Sequence, residues 1–90
     1  MKRAIYKVPN GKLLKIALEE EGGTIKMIKI TGDFFIYPEE NLEKMEVELL
    51  GCEMSAGKLS ITIDEFIKVN PTELFGLDEE SLIQTILNAK

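Results

Sequence analysis

The sixteen residues IKITGDFFIYPEENLE, Ile28–Glu43, decide the fold. An apolar run of strand type stops at Gly32-Asp33, two adjacent phenylalanines follow, and Pro38-Glu39-Glu40 opens a helical pattern. The stretch therefore marks the junction between a β half and an α half of one chain. Two neighbouring aromatics between a turn and a helix start do not both fit a small core, so one of them is expected to meet something outside the chain.

Upstream of the junction the side chains alternate. Ala4, Tyr6 and Val8 oppose Arg3, Ile5 and Lys7, which reads as a half-buried strand. Pro9-Asn10-Gly11 is a turn, since proline presets its own dihedral and Asn-Gly tolerates the left-handed region. A second strand covers Lys12–Glu20, with Leu14, Ile16 and Leu18 on one face, and Glu20-Glu21-Gly22-Gly23 turns again. The third runs from Thr24 to about Thr31, where the apolar positions switch phase from Ile25 and Met27 to Ile28 and Ile30. That switch implies a bulge or burial on both faces.

Downstream the period becomes helical. Proline suits a first helical position because its missing N–H has no partner to lose, which places Pro38 there. Glu39 and Glu40 then fall where the helix dipole favours negative charge. Leu42, Met45 and Leu49 form the stripe, Gly51 the stop, and the acidic side chains of Glu39–Glu48 are expected to face solvent. Glu53–Lys58 reads as a loop. Thr62 with Glu65 matches a capping box, and Ile61 with Phe66 a hydrophobic staple, for a short helix ending near Asn70-Pro71. Asp78 caps a last helix whose buried stripe is Leu82, Ile83, Ile86 and Leu87, with Leu77 and Leu82 as staple. The expected architecture is α+β in one domain over residues 1–90: a three-stranded antiparallel sheet, then two to three helices on one of its faces.

Composition narrows the chemistry. Ninety residues hold a core but no enclosed substrate cavity beside it. There is no histidine, so the usual general base and the commonest metal ligand are missing. Cys52 is the only cysteine, which excludes an internal disulfide or a cysteine cluster. No glycine-rich phosphate loop occurs, and no spacing in the acidic helix selects a metal. Neither a catalytic residue nor a metal ligand is expected. No apolar run approaches the ~20 residues of a membrane span, and no signal-peptide core follows Met1-Lys2-Arg3, so the protein is expected in the cytoplasm.

The net charge of −5 is unevenly spread: residues 1–30 carry seven Lys/Arg against three Glu, and residues 31–90 four Lys against thirteen Asp/Glu. An acidic whole argues against nucleic-acid binding, while a basic half permits directed docking. The sheet lysines Lys7, Lys12, Lys15, Lys26 and Lys29 are either a solvated face guarding the edge or a surface that steers an acidic partner or a phosphate. Gly32-Asp33 is either a plain turn or a held contact point. Among Phe34, Phe35 and Tyr37, strand alternation buries one set and exposes the other.

With those residues in hand, the chain resembles the C-terminal accessory domain of lipoate–protein ligases. It is most similar to the free-standing small subunit found in archaea and some bacteria. The matching residues are Tyr6–Leu14, Gly23-Thr24-Ile25, Ile30–Phe35, Tyr37–Glu40 and the helix end Leu50-Gly51. The likeness spans about residues 4–52, and the helical remainder fits in layout.

The resemblance implies that a separate large subunit holds lipoate, ATP and magnesium and carries the catalytic lysine, forming a heterodimer. It implies that the small chain is needed to make lipoyl-adenylate and less needed for transfer to a lysine of acceptor lipoyl domains of 2-oxoacid dehydrogenase or glycine cleavage proteins. Gly32, Asp33, Phe34, Phe35 and Tyr37 are then the expected docking element, with Phe34 or Phe35 as anchor. Lys7, Lys12 and Lys15 are the cations expected to face phosphate or acceptor. Two other readings stand beside it: an iron–sulfur scaffold or sulfur acceptor, which needs more reactive thiols than Cys52 supplies, and an adaptor domain for another enzyme.

Overall fold

A computed structural model describes residues 1–90. Strands β1 (Lys2–Lys7), β2 (Leu13–Glu21) and β3 (Thr24–Gly32) form an antiparallel meander in that spatial order. Leu14, Ile16 and Leu18 of β2 are buried on one face, as their spacing predicts. The phase switch in β3 is a bulge: Met27 pairs with Glu19 but Ile25 with Glu20, which leaves Lys26 as the extra residue. One added residue turns Ile25, Ile28 and Ile30 all inward, and each is buried.

Helices α1 (Glu40–Leu49), α2 (Ala56–Val69) and α3 (Glu79–Leu87) cover that face only. Their buried stripes are Met45 and Leu49, then Leu59, Ile63 and Phe66, then Leu82, Ile83 and Ile86. α1 lies on β3 and α2, and α3 on β1, β2 and α2. The expected α+β architecture with helices on one face is therefore the one observed. No helix is long and apolar enough to cross a membrane.

The helix starts need two corrections. The second helix does not begin at Thr62 but at Ala56, where the Ser55 hydroxyl accepts a hydrogen bond from the Lys58 amide at 3.3 Å. The stretch 53–58 is thus only partly loop. Thr62 lies inside the helix and donates to the Lys58 carbonyl at 2.9 Å, and Ile61 is exposed, so neither box nor staple forms. Burial of Leu59 one turn before Ile63 sets the true start, because it extends the apolar stripe. Pro38 stands just before α1 instead of in its first position, after a cis Tyr37-Pro38 peptide bond, and its carbonyl accepts from the Asn41 amide at 3.1 Å. Asp78 caps α3 as expected, its Oδ1 accepting from the Ser81 amide at 2.7 Å, and Leu77 and Leu82 are both buried.

The acidic helix α1 is not wholly solvated either. Glu46 is buried, and its Oε2 accepts a 2.7 Å hydrogen bond from the Ile30 amide on the outer edge of β3. The carboxylate stands in for a fourth strand at that edge, which period alone did not disclose. At the opposite edge, the β1 backbone is held by residue 90: the Arg3 amide donates to the Lys90 carbonyl at 3.0 Å, and the Lys90 amide to the Arg3 carbonyl at 3.1 Å.

Between α2 and α3, Glu79 lies against Asp64, and its Oε1 is buried without a hydrogen-bond partner. Burial first, and then the Asp64 carboxyl beside it, push the Glu79 pKa up from 4.5 to about 7. A folded state that holds the proton more tightly than the unfolded chain loses stability as pH rises between those two values. Since the Glu79 side chain is only partly buried, the loss should be about 1 kcal/mol after screening. Urea titrations at about pH 5 and about pH 7.5 should show that drop in the native chain and little of it in Glu79→Gln. Equal pH dependence in both would exclude Glu79 as its source.

Candidate docking site

The junction segment forms a structure of its own. β4 (Phe35–Tyr37) pairs antiparallel with a short late strand, β5 (Glu73–Phe75), in a two-stranded ribbon separate from the main sheet. The sequence does not announce β5, because three residues carry no period and its partner lies far away in the chain. The register sets Phe35 opposite Phe75, Ile36 opposite Leu74 and Tyr37 opposite Glu73.

Alternation then decides which aromatics point where. Ile36 is buried, and Phe34 and Leu74 pack partly buried against the core. Phe35, Tyr37 and Phe75 are 46%, 59% and 48% exposed, so one short ribbon holds three solvent-facing aromatic rings on one side. The Phe35 and Phe75 rings lie 6.0 Å apart at 46°, a tilted pair of the kind aromatic quadrupoles favour. Phe34 turns toward the core and offers less open surface than Phe35. Phe35 is free for the anchor role, and Phe75, missed in the sequence, joins it.

Three glycines let the ribbon sit where it does. Gly32 has φ +147°, and a Cβ there would run into the Leu13 carbonyl oxygen, which accepts the Asp33 amide at 3.0 Å. Gly76 (φ +84°) gives its carbonyl to the Lys12 amide at 2.7 Å, and Gly11 approaches the same carbonyl so closely that a Cβ would meet it at 2.5 Å. The first turn, the Gly32 corner and the end of β5 are thereby clamped together. From the far end, the buried Asn41 side chain of α1 donates to the Thr72 hydroxyl at 2.8 Å, beside the entry to β5. Asp33 is exposed, and its carboxylate accepts no hydrogen bond from a neighbouring amide.

The three candidate lysines do not converge. Lys7 donates to the Gly11 carbonyl at 2.6 Å and to the Val8 carbonyl at 3.3 Å, so its ammonium is tied to its own turn. Lys12 rests its stem beside Gly76 and the Phe34 backbone, at the root of the ribbon. Lys15 pairs across strands with Ile5 and Thr31, out on the open sheet face. Cys52 is half-buried, its sulfur 3.5 Å from the Thr62 hydroxyl. No three Cys, Asp or Glu side chains converge as metal donors.

Comparison with known proteins agrees with this architecture. Residues 6–86 match the family described as the bacterial lipoate protein ligase C-terminus. The chain is 31% identical over 77 residues to lipoate-protein ligase A subunit 2 of Thermoplasma acidophilum, an alignment covering 82% of this chain and 76% of that protein. It also superposes with a TM-score of 0.81 and 29% identity on a chain from a solved archaeal lipoylation system, described as a bi-partite lipoate protein ligase and its E2 lipoyl domain from Thermoplasma acidophilum. That superposition covers 96% of this chain and 94% of the other. A meander whose third strand runs through Gly32 into an aromatic ribbon, matched over nearly its whole length, belongs to the lipoate–protein ligase C-terminal family.

Proposed function

We propose that this chain is the accessory, non-catalytic subunit of a two-part lipoate–protein ligase. It docks through the β4–β5 ribbon onto a large chain that holds lipoate, ATP and magnesium and carries out the chemistry. The observation that carries the proposal is the exposed trio Phe35, Tyr37 and Phe75 on a ribbon clamped in place, in a family of ligase subunits. Aromatic rings already ordered before contact lose little entropy on binding and are enriched among interface hot spots.

The step such docking would serve is activation of the acid. A carboxylate must approach the α-phosphate of a polyanion, which demands positioning, charge neutralisation and exclusion of water. A small domain pressed against the site supplies the first and the third by ordering the larger chain's nucleotide loops. This reading gives the second to Lys12, whose stem lies against Gly76 at the end of β5. The same exclusion of water protects the mixed anhydride until a lysine of the acceptor domain attacks it.

The test is lipoate-dependent pyrophosphate release by the large chain, with and without this polypeptide. Addition should raise the rate at least tenfold, while transfer from preformed lipoyl-adenylate at saturating acceptor domain should change much less. Equal release in both tubes would refute the assignment. A scaffold or sulfur-acceptor role has less in its favour, since the single thiol is half-buried against Thr62.

A further inference from the structure

We propose that the open face of the three-stranded sheet is a second docking surface, distinct from the ribbon, for an acidic protein: the acceptor domain that receives the acyl group. This rests on the ligase reading above, and deepens it by giving the small subunit a part in the transfer half of the reaction.

The strand register builds the surface. On the face away from the helices, Ile5, Lys15 and Thr31 lie side by side across β1, β2 and β3, and Arg3, Ala17 and Lys29 form the next row. Neighbours in such rows stand about 5 Å apart, so Arg3, Lys15 and Lys29 surround Ala17 on the central strand. Ile5, at the rim of the face on β1 next to Lys15 and Arg3, is 69% exposed. The chain forms only two ion pairs, Lys2 with Glu20 and Lys26 with Glu21, so Arg3, Lys15 and Lys29 are without carboxylate partners. Two carboxylates at the far end of β2 share the face: Glu19, and Glu21, which is paired with Lys26.

Three unpaired cations about Ala17, with the bare Ile5 side chain at the rim, match a partner that presents carboxylates beside an apolar spot. Charge of this kind steers encounter and sets specificity more than it adds raw affinity. Nucleic acid fits less well. The face carries no aromatic ring for a base to stack on, and residues 31–90 hold thirteen acids against four lysines, which repel a polyanion.

The test uses the reconstituted two-chain ligase with R3E/K15E/K29E in the small subunit, and the milder R3Q/K15Q/K29Q should the reversal disturb folding. KM for the apo acceptor domain should rise about tenfold, with kcat and lipoate-dependent pyrophosphate release unchanged. The native KM should climb with ionic strength, and that of the variant should stay nearly flat. Ile5→Asp should raise KM as well.

An unchanged KM overturns the proposal. So does an equal loss of pyrophosphate release, which would give this face to the large chain. Tight binding of a single-stranded RNA oligonucleotide through the same cations, or concentration-dependent self-association that the variant abolishes, also overturns it. Failure of the ligase reading itself shows separately, as pyrophosphate release that does not need the small chain at all.

Discussion

Replacing Phe35 and Phe75 together by alanine should abolish docking to the large ligase chain while leaving the small chain folded. Both rings are nearly half exposed and pack against each other at the surface, so their removal opens no cavity in the core. The free chain should lose no more than about 1 kcal/mol, most of it the ring–ring contact. Each ring buried at an interface contributes about 2 kcal/mol or more. Because the two touch, their effects will not simply add, but together they should weaken the complex by about a hundredfold or more. Calorimetric titration of one chain into the other reads this directly, and pyrophosphate release should fall in parallel at limiting subunit concentration. Phe34→Ala is the contrasting variant: its ring packs against the core, so it should lower the urea midpoint first. An unaltered affinity in folded Phe35→Ala/Phe75→Ala would remove the ribbon from the interface.

Gly32→Ala should be the most damaging single methyl in the molecule. The backbone there has φ +147°, which L side chains rarely adopt, and the added carbon would overlap the Leu13 carbonyl oxygen. Conformational strain of this kind costs about 1–3 kcal/mol. The displaced Leu13 carbonyl would also release the Asp33 amide, so a total of about 3 kcal/mol is expected. Gly22→Ala separates the two causes, because Gly22 has φ +60° with nothing within 4 Å of the place a Cβ would occupy. That variant should lose only about 1 kcal/mol. Urea denaturation with an unchanged m-value would report both. Similar midpoints for the two would mean that close approach to Leu13 is not what fixes the corner.

The β half was legible because its information is local. Alternation in β2 and the phase switch in β3 follow from residues within one or two positions, and the bulge at Lys26 is their direct consequence. The helical half misled where a good local motif competed with burial. Thr62-x-x-Glu65 satisfies the capping pattern, yet the helix extends back to Ser55 because Leu59 adds another turn to the buried stripe. Gly57 and Lys58 in its first turn disguise that start.

Two features could not be read at all, since each depends on residues far apart in sequence. Glu46 looks like one solvated acid among many until β3 presents it with the Ile30 amide. Phe75 looks like an ordinary aromatic beside a turn until β5 meets β4. The aromatic ribbon was thus half visible: Phe35 and Tyr37 stood out, alternation left open whether Phe34 or Phe35 faces outward, and the second strand was absent.

The mutual hydrogen bonds between Arg3 and Lys90 place residues 3 and 90 side by side. A short glycine-serine bridge could therefore join residues 1 and 90 into a ring, and new ends could be cut at the exposed Gly22, where a Cβ would meet nothing within 4 Å. Such a circular permutant would reorder the polypeptide while leaving the ribbon, its clamping glycines and the bare sheet face where they are.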